Sequence, residues 1–294
     1  MTGNYSLIIH GGAGPKKGGD YSATEIHLCE LTTAGRKMLA DGLSALDVVQ
    51  EMVWQMEKSG MYVAGRGSGP NRAGYAELDA SIMDSRGNAG GVTCIKNVRS
   101  PIAAARSVMD NTPYILLAGE GAKQHALSQG LSFVDDNEDW YTLPVGVSAE
   151  DMQQEHMIHG TVGAVAMDKS GVLASATSTG GLFGKPEGRV GDTGLIGAGS
   201  WADENIAISC TGVGEYFILA GGARSIADRM TFGGMSVSAA VQSFLDEVEA
   251  RGGDGGIIAV TKSGEIYSAY NSDGMKEART DQDTAPISTT FATK

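Results

Sequence analysis

Cysteine is scarce in this chain. The 294 residues include three, Cys29, Cys94 and Cys210, and no two of them form a CxxC pair. An odd number without that spacing excludes a disulfide framework and the common structural zinc patterns. Cys94 and Cys210 lie in apolar runs typical of strands, so we expect them to be small core residues rather than ligands.

Long apolar runs and positive charge are also lacking. No apolar run approaches the length of a transmembrane helix, and no basic stretch followed by an apolar core marks the N-terminus. We therefore expect a cytoplasmic protein. Lys and Arg number 22 against 35 Asp and Glu, which gives a formal net charge of −13. This charge argues against nucleic acid or an anionic membrane as a partner, and any anionic substrate group needs a local cation.

Several catalytic signatures are missing as well. The sequence has no GxSxG, HExxH or GxxxxGK[ST] motif. The segment 65–69, GRGSG, only approximates a dinucleotide-binding loop, because it follows no predicted strand and Pro70 stands where the helix should begin. His156 and His159 are three residues apart without a third partner, which is a weak indication of a metal site.

Glycine, by contrast, is abundant. The chain has 43 glycines, about twice the usual ~7%, and clusters of them separate apolar runs, as in tight turns. Helical periodicity and end signals predict a helix from a capping box at Ser22 to near Gly42, one between Ser44 and Gly60, and one after Ser100. Three further helices are predicted at 120–129, 216–229 and 236–250. Strands are predicted at 6–10, 77–83, 91–95, 114–118, 161–167, 172–178, 206–210, 257–261 and 265–270.

Tight turns join several of these strands in pairs. The sequences DSRG (84–87), DKSG (168–171) and KSG (262–264) connect neighbouring strands as hairpins. Adjacent strands joined in this way favour antiparallel sheets. Two such sheets packed face to face with helices outside predict a single four-layer αββα domain over residues 1–294, in the α+β class.

The segment HGTVGAVA, residues 159–166, points to nucleophilic chemistry. A threonine hydroxyl is a weak nucleophile, but in the first residue of a chain the α-amino group serves as its base. That amine has an ordinary pKa of about 7.7–8, so much of it is uncharged near neutral pH. Thr161 is internal, so this interpretation requires cleavage of the bond between Gly160 and Thr161. The plain alternative is an ordinary apolar strand after a glycine.

Two more segments offer matching groups. The hairpin turn brings TSTGG, residues 177–181, back to the start of the first strand, where Thr179 would meet Thr161; ordinary β-branched strand content explains these threonines equally well. In GRVGD, Arg189 offers a planar fork for a carboxylate and Asp192 can hold an ammonium group. Together they would bind the α-carboxylate and α-amino groups at one end of a substrate. A solvated surface ion pair is the alternative.

The segment CTGVGE, residues 210–215, joins a strand to a helix. Backbone N–H groups at such a junction, with the Thr211 hydroxyl, are donors for a developing oxyanion. A common strand–helix turn is the alternative interpretation.

In their order and spacing these segments resemble the isoaspartyl peptidase/L-asparaginase family of N-terminal-nucleophile hydrolases. The resemblance covers most of the chain. TSTGG and CTGxGE are more similar to the isoaspartyl peptidase branch than to the glycosylasparaginase or taspase branches. Further segments that carry the resemblance are IHGGAG (9–14), ELDA (77–80), LLAGEGA (116–122), GGDGG (252–256) and NSDGM (271–275).

The resemblance implies roles for individual residues. Thr161 would be the nucleophile, first for self-cleavage after Gly160 and then for the substrate, and Thr179 would assist it by hydrogen bonding. Arg189 would bind the α-carboxylate of the substrate, and Asp192 would bind its α-amino group. Thr211 and Gly212 would form the oxyanion hole, and Gly214 would line the site.

The resemblance also implies a mature form. Residues 1–160 would be the α subunit, ending in a linker at 143–160, and residues 161–294 the β subunit. Two such α/β pairs would form a dimer. A structural sodium ion bound by backbone carbonyls between Glu57 and Arg66 is implied, and no cofactor for catalysis.

One position departs from the family pattern. The family usually has Phe-Asn-Ala-Gly where this chain has Tyr62-Val63-Ala64-Gly65, and Val63 has no amide to donate or accept a hydrogen bond. Pro70, Asn71 and Arg72 follow closely. Our hypothesis is a shift from free asparagine toward β-aspartyl dipeptides, with Arg or Lys leaving groups suited to so acidic a protein.

Three other functions are open at this point. The first is a glycosylasparaginase-like amidase, which the lack of a signal peptide disfavours. The second is a catalytically silent scaffold that binds amino acids, which Val63 favours. A dinucleotide-binding protein is a distant third.

Overall fold

The computed structural model describes residues 3–135, 139–148, 150 and 160–291. Its helices are α1 (Ser22–Ala40), α2 (Ala45–Ser59), α3 (Pro101–Asn111), α4 (Gly119–Ser128), α5 (Gly214–Leu219), α6 (Gly222–Thr231) and α7 (Val237–Ala250). Its strands are β1 (Ser6–Ala13), β2 (Leu78–Asp84), β3 (Ala89–Ile95), β4 (Leu116–Ala118), β5 (Val162–Met167), β6 (Leu173–Thr179), β7 (Ser200–Ala202), β8 (Ile206–Gly212), β9 (Gly255–Thr261), β10 (Ile266–Tyr270), β11 (Met275–Asp281) and β12 (Ile287–Thr289).

The strands form two sheets. The larger has the order β12-β11-β1-β5-β6-β2-β3-β4, and the smaller the order β10-β9-β8-β7. Among the strand pairs of the described residues, β3 and β4 alone run parallel. The prediction of two mainly antiparallel sheets is confirmed, and so are the predicted hairpins β2–β3, β5–β6 and β9–β10.

Three buried apolar clusters hold the layers together. The first joins α1, α2 and α3 to the outer face of the larger sheet. The second joins α6 and α7 to the smaller sheet around Phe217 and Phe244. The third fills the space between the two sheets, where Val165 of β5 and Ile258 of β9 are fully buried. Burial on both faces of each sheet stabilises this αββα sandwich, as predicted.

The N-termini of α2 and α3 follow local chemistry, whereas that of α1 departs from it. The Ser44 and Ser100 hydroxyls accept the N-terminal hydrogen bonds of α2 and α3, from Asp47 N and Ala103 N. The capping box expected at Ser22 is wrong: Ser22 is the first helical residue, and Tyr21 precedes the helix without a side-chain cap.

In the C-terminal third of the chain, the structure differs from the elements predicted from the sequence. The single helix expected at 216–229 is two helices, α5 and α6, because Gly221 and Gly222 both have positive φ angles, of 85° and 65°, which end one helix before the next begins. The strands β7, β11 and β12 were not predicted. β11 has charged residues at alternate and adjacent positions, MKEARTD, so its apolar pattern is weak.

Part of the predicted linker lies outside the described residues. Of the segment 143–160, residues 149 and 151–159 are outside, and His156 and His159 with them. The division into subunits 1–160 and 161–294 stays a prediction. No helix in the described part of the chain is both long enough and apolar enough to cross a bilayer.

Replacing Phe244 by Ala tests the packing of α7. Its ring is fully buried and lies 5.5 Å from the ring of Phe217. We expect Phe244→Ala to lower the free energy of unfolding by about 3–5 kcal/mol, since it leaves a cavity. The matched control is Phe232→Ala: that side chain is 79% exposed, and its loss should change stability by about 0.5 kcal/mol at most. Urea unfolding measures both, and equal effects would contradict the assignment of this core.

Candidate active site

Two threonines meet where β5 begins and β6 ends. Thr161 directly precedes β5, Thr179 is the last residue of β6, and the pairing of Val162 with Ser178 places them side by side. β5 also pairs with β1 on its other edge. Because the strand is held on both sides, the backbone at Thr161 is fixed, and both threonines are buried.

The carbonyl group of Gly160 is held by Thr179. The Thr179 Oγ1 donates a hydrogen bond of 2.6 Å to the Gly160 oxygen, and Gly181 N donates to the same Oγ1 at 2.9 Å. On the other side, a Cβ on Gly160 would lie 2.9 Å from the Cβ of Val63. A donor aimed at a carbonyl oxygen polarises the carbonyl and stabilises negative charge that forms there.

A small cavity adjoins this bond. Its volume is about 10 Å³, which is the size of about one water molecule. Thr211 is not in its lining; that side chain is fully buried, and its Oγ1 accepts a hydrogen bond of 3.2 Å from Ala13 N. The other residues singled out from the sequence do line the cavity: Gly160, Thr161, Thr179, Arg189, Asp192, Gly212 and Gly214.

Arg189 and Asp192 differ in their partners. Arg189 makes a two-point ion pair with Glu215, with Nε donating to Oε1 at 2.8 Å and Nη2 donating to Oε2. The Glu215 side chain is 48% exposed, so solvent weakens this pair. Asp192 is buried, and its Oδ2 has no hydrogen-bond partner. An ammonium group in the cavity would supply the missing donor.

Burial also changes the acidity of Asp192. It raises the pKa of this carboxyl to about 7, although Arg189 acts in the opposite direction. Gly214 allows this close packing, because a Cβ there would lie 2.7 Å from the Asp192 Oδ1. The site therefore combines two groups. Arg189 is a cation whose partner, Glu215, is exposed to solvent, and Asp192 is a carboxyl that would gain a partner when a cation binds.

A second set of buried charges supports the loop that carries Arg189. The Glu77 carboxylate accepts hydrogen bonds of 3.1–3.2 Å from Gly188 N, and Lys185 Nζ donates to the Glu77 carbonyl at 2.9 Å. Burial raises the pKa of the neighbouring Asp79, and the charges of Lys185 and Arg189 oppose this. In the sequence, Glu77 and Asp79 stand out only as part of the ELDA segment. Lys185 was not predicted, since nothing in the pattern around it indicates that a lysine is buried there.

His10 was also missed. Its Nε2 lies 2.9 Å from Ser209 Oγ, which lies 2.8 Å from Thr177 Oγ1. Burial lowers the pKa of His10 to about 3, so the ring is neutral near neutral pH. His10 pairs with Gly163, the second residue after Thr161, so the two positions lie on the same face of β5. The signal was its position next to two glycines on a predicted strand.

The segment between Glu57 and Arg66 was expected to hold sodium. Each backbone carbonyl of residues 60–66 accepts a hydrogen bond from within the protein, for example Arg66 O from Thr142 N and Val63 O from Gly180 N. An oxygen that already accepts one bond has one lone pair left, so this bonding lends the sodium site no support, and the site stays a prediction. The Glu57 carboxylate instead accepts from Ser100 Oγ and Ile102 N, and burial raises its pKa to about 8.

Two other expectations concern ligands. Within the described ranges, no group of three or more His, Cys, Asp or Glu side chains is placed to hold a metal ion. The dinucleotide-like segment forms a short 3₁₀ turn, Gly65–Gly67, which follows a loop rather than a strand. That position does not fit the strand–helix junction that a dinucleotide site uses.

Comparison with known proteins gives consistent matches. The profile of the family described as Asparaginase matches residues 3–289. The isoaspartyl peptidase of Salmonella typhimurium is 41% identical, over 92% of this chain and 94% of that protein. The isoaspartyl peptidase of Escherichia coli is 39% identical, over 94% of this chain and 92% of that protein. The isoaspartyl peptidase/L-asparaginase of Xenopus laevis is 37% identical, over 94% and 92%.

Proposed function

The chain is a hydrolase of the asparaginase family, and on that premise we propose that it cleaves itself before Thr161 and then hydrolyses isoaspartyl (β-aspartyl) dipeptides and L-asparagine. The observation that carries this proposal is the hydrogen bond from Thr179 Oγ1 to the Gly160 oxygen, beside the buried Thr161. In the proposed reaction the Thr179 hydroxyl activates the Gly160 carbonyl, and the Thr161 hydroxyl attacks its carbon.

Self-cleavage uses only groups of this chain and water. The Thr161 Oγ attacks the Gly160 carbonyl carbon, and the Thr179 hydroxyl stabilises the oxyanion. The C–N bond breaks, the Thr161 nitrogen takes the proton, and an ester joins Gly160 to the Thr161 oxygen. Breaking the C–N bond frees the Thr161 amine. Water then hydrolyses the ester, which releases the carboxylate of Gly160 and restores the Thr161 hydroxyl.

The cavity volume supports the need for this step. A space of about 10 Å³ excludes a dipeptide as long as Gly160 stays bonded to Thr161. Once the bond is broken, the end at Gly160 can leave and open the space between Val63 and Thr179. Cleavage would then create both the base and the room for the substrate.

Substrate hydrolysis repeats the same chemistry. Arg189 would bind the α-carboxylate of the aspartyl unit and Asp192 its ammonium group. The free Thr161 amine takes the proton from Oγ, which attacks the β-carbonyl carbon. Gly212 lines the cavity and would hold the oxyanion; the Thr211 hydroxyl, which lies outside that lining in the uncut chain, would join it only once the Gly160 end has left. The amine passes the proton to the leaving nitrogen. Water hydrolyses the β-aspartyl ester and releases aspartate.

Two further properties are part of the proposal. The mature protein is a dimer of α/β pairs, made from residues 1–160 and 161–294. Its preferred dipeptides have basic leaving groups, such as β-Asp-Arg and β-Asp-Lys. The formal net charge of −13 supports this preference, since a negative surface attracts cationic substrates.

Variants of the two threonines test self-cleavage. Thr161→Ala should abolish it, and Thr179→Val should slow it by about 100-fold, because the scissile carbonyl loses its donor. Thr179→Ser keeps the hydroxyl and should cleave at a rate within about tenfold of wild type. Mass spectrometry of the purified chains follows the two fragments over time. A Thr161→Ala chain found as two fragments would contradict the mechanism, and wild-type protein that stays one chain would indicate a silent scaffold.

The raised pKa of Asp192 predicts a pH dependence. The ammonium group of the substrate binds the ionised carboxylate, which forms as pH rises through about 7 in the free enzyme. We therefore expect kcat/KM for a β-aspartyl dipeptide to rise with pH across that range. Asp192→Asn should lower kcat/KM at pH 8 by about 10-fold or more and remove this limb of the profile. A limb that persists unchanged in the variant would rule out Asp192 as its source.

Initial rates on a substrate panel test the specificity. We expect β-Asp-Arg and β-Asp-Lys to have a higher kcat/KM than β-Asp-Leu, and all three to exceed asparagine. Raising the ionic strength should reduce the advantage of the basic dipeptides, because salt screens surface charge. Asparagine hydrolysed as fast as every dipeptide would overturn the dipeptide preference. Hydrolysis of glycosylated asparagine alone would indicate the amidase alternative.

A further inference from the structure

Lys276, which has no acidic partner among the described residues, lies near the proposed scissile site. Lys276 is the second residue of β11 and is partly buried. None of the ion pairs among the described residues includes it, and its ammonium lies 5.3 Å from the centre of the Tyr21 ring. Burial lowers the pKa of Lys276 to about 8, and no neighbouring carboxylate offsets this. A partly buried cation without a counterion is a ready binding group for an anion.

The pairing of β1 with β11 places Lys276 beside the glycines of residues 11 and 12. The register changes between His10, which pairs with Glu277, and Ala13, which pairs with Met275. Lys276 therefore lies opposite the irregular stretch formed by the two glycines. A Cβ on Gly11 would lie 3.5 Å from the Cβ of Lys276, so the lysine stem packs against this backbone.

The same two glycines adjoin the scissile bond. A Cβ on Gly12 would lie 3.4 Å from Thr161 N and 3.5 Å from Gly160 Cα. Gly11 also packs against the ring of Tyr62. The next residue, Val63, contacts Gly160. Lys276 and Gly160 thus pack against the consecutive glycines 11 and 12, and the lysine has a flexible four-carbon stem on which its ammonium can move.

The chemistry of the proposed reaction directs the leaving group to this side. The leaving nitrogen takes its proton from the Thr161 amine, whose nitrogen bonds to the Gly160 carbon in the uncut chain. The departing amino acid therefore emerges where Gly160 was, among Val63, Gly12 and the groups beyond them. In a β-aspartyl dipeptide, the departing amino acid carries a free α-carboxylate two bonds from that nitrogen. Asparagine releases ammonia and has no such group.

We propose that Lys276 binds the free α-carboxylate of the departing amino acid and so selects β-aspartyl dipeptides over asparagine. This assignment rests on the function proposed above, and it names a specificity residue for the leaving-group side of the site. The carboxylate is common to all dipeptides, so the effect is independent of the side chain of the departing residue. Arg189 and Asp192 bind the aspartyl side and are equally engaged by every substrate.

Three substrates separate the contribution of Lys276 from general activity: β-Asp-Leu, the same dipeptide with its C-terminal carboxyl capped as an amide, and asparagine. For Lys276→Met we expect KM for β-Asp-Leu to rise about 10-fold, the scale of one lost charge-assisted hydrogen bond, with kcat little changed. The capped dipeptide and asparagine should keep kcat/KM within about twofold of wild type. Lys276→Arg retains the charge and should restore most of the affinity for β-Asp-Leu.

Lys169→Met is the matched control. Lys169 also lies over a tyrosine ring, that of Tyr5 at 5.9 Å, but at the end of β5 remote from Thr161. The Lys169→Met variant should hydrolyse all three substrates with the same kinetic constants as the wild-type enzyme. Mass spectrometry of each variant verifies that cleavage is complete before kinetics are measured.

The outcomes are distinct. If Lys276→Met lowers kcat/KM equally for all three substrates, or for none, the carboxylate assignment is overturned while the proposed function stands. If wild-type enzyme hydrolyses none of the three, the proposed function is refuted and the assignment falls with it. A selective loss on β-Asp-Leu that Lys276→Arg repairs supports it.

Discussion

The hydrogen-bonded ladder between β5 and β6 is the constraint on which the site depends. It sets Thr161 against Thr179, and through Thr179 it orients the Gly160 carbonyl. A shift of one residue in this register would turn one threonine away to the opposite face of the sheet. The ladder is protected from such a shift because both strands are interior strands of an eight-stranded sheet, with β1 and β2 on their outer sides.

The fold also determines how charge is distributed around the cavity. Charged groups approach the Arg189 loop from β2 and from the loop itself, and most of them are buried. Burying charge costs free energy unless partners are present. Lys185 and Glu77 meet this requirement by bonding to backbone groups, whereas Asp192 lacks a partner for one oxygen. The unmet hydrogen bond lies at the position where a substrate ammonium group is proposed to bind, so ligand binding would relieve a cost that the fold carries.

Much of this arrangement was predictable from the sequence, for physical reasons. Hairpins with short turns have a register that follows from turn length, so the approach of Thr179 to Thr161 could be inferred from DKSG alone. Helices α2 and α3 were predictable from serine caps and apolar spacing. The strand β11 was not, because charged residues interrupt its pattern and its pairing with β1 joins residues far apart in the sequence. Lys185 was missed for a related reason: its burial depends on three-dimensional neighbours, and its local sequence contains no signal for that.

The two ends of the proposed substrate are treated differently by the architecture. In the proposed mechanism the aspartyl end would face the loop between β6 and β7, where Asp192 packs against Gly214 and Arg189 lies nearby. In the proposed mechanism the leaving-group end would face β1, β11 and the segment after α2, where the apolar Val63 lies against Gly160. The apolar Val63 and Lys276, which makes no ion pair within the described residues, both adjoin that side of the site. Selectivity among substrates that share an aspartyl unit must come from that side, because differences in affinity arise only where the substrates differ.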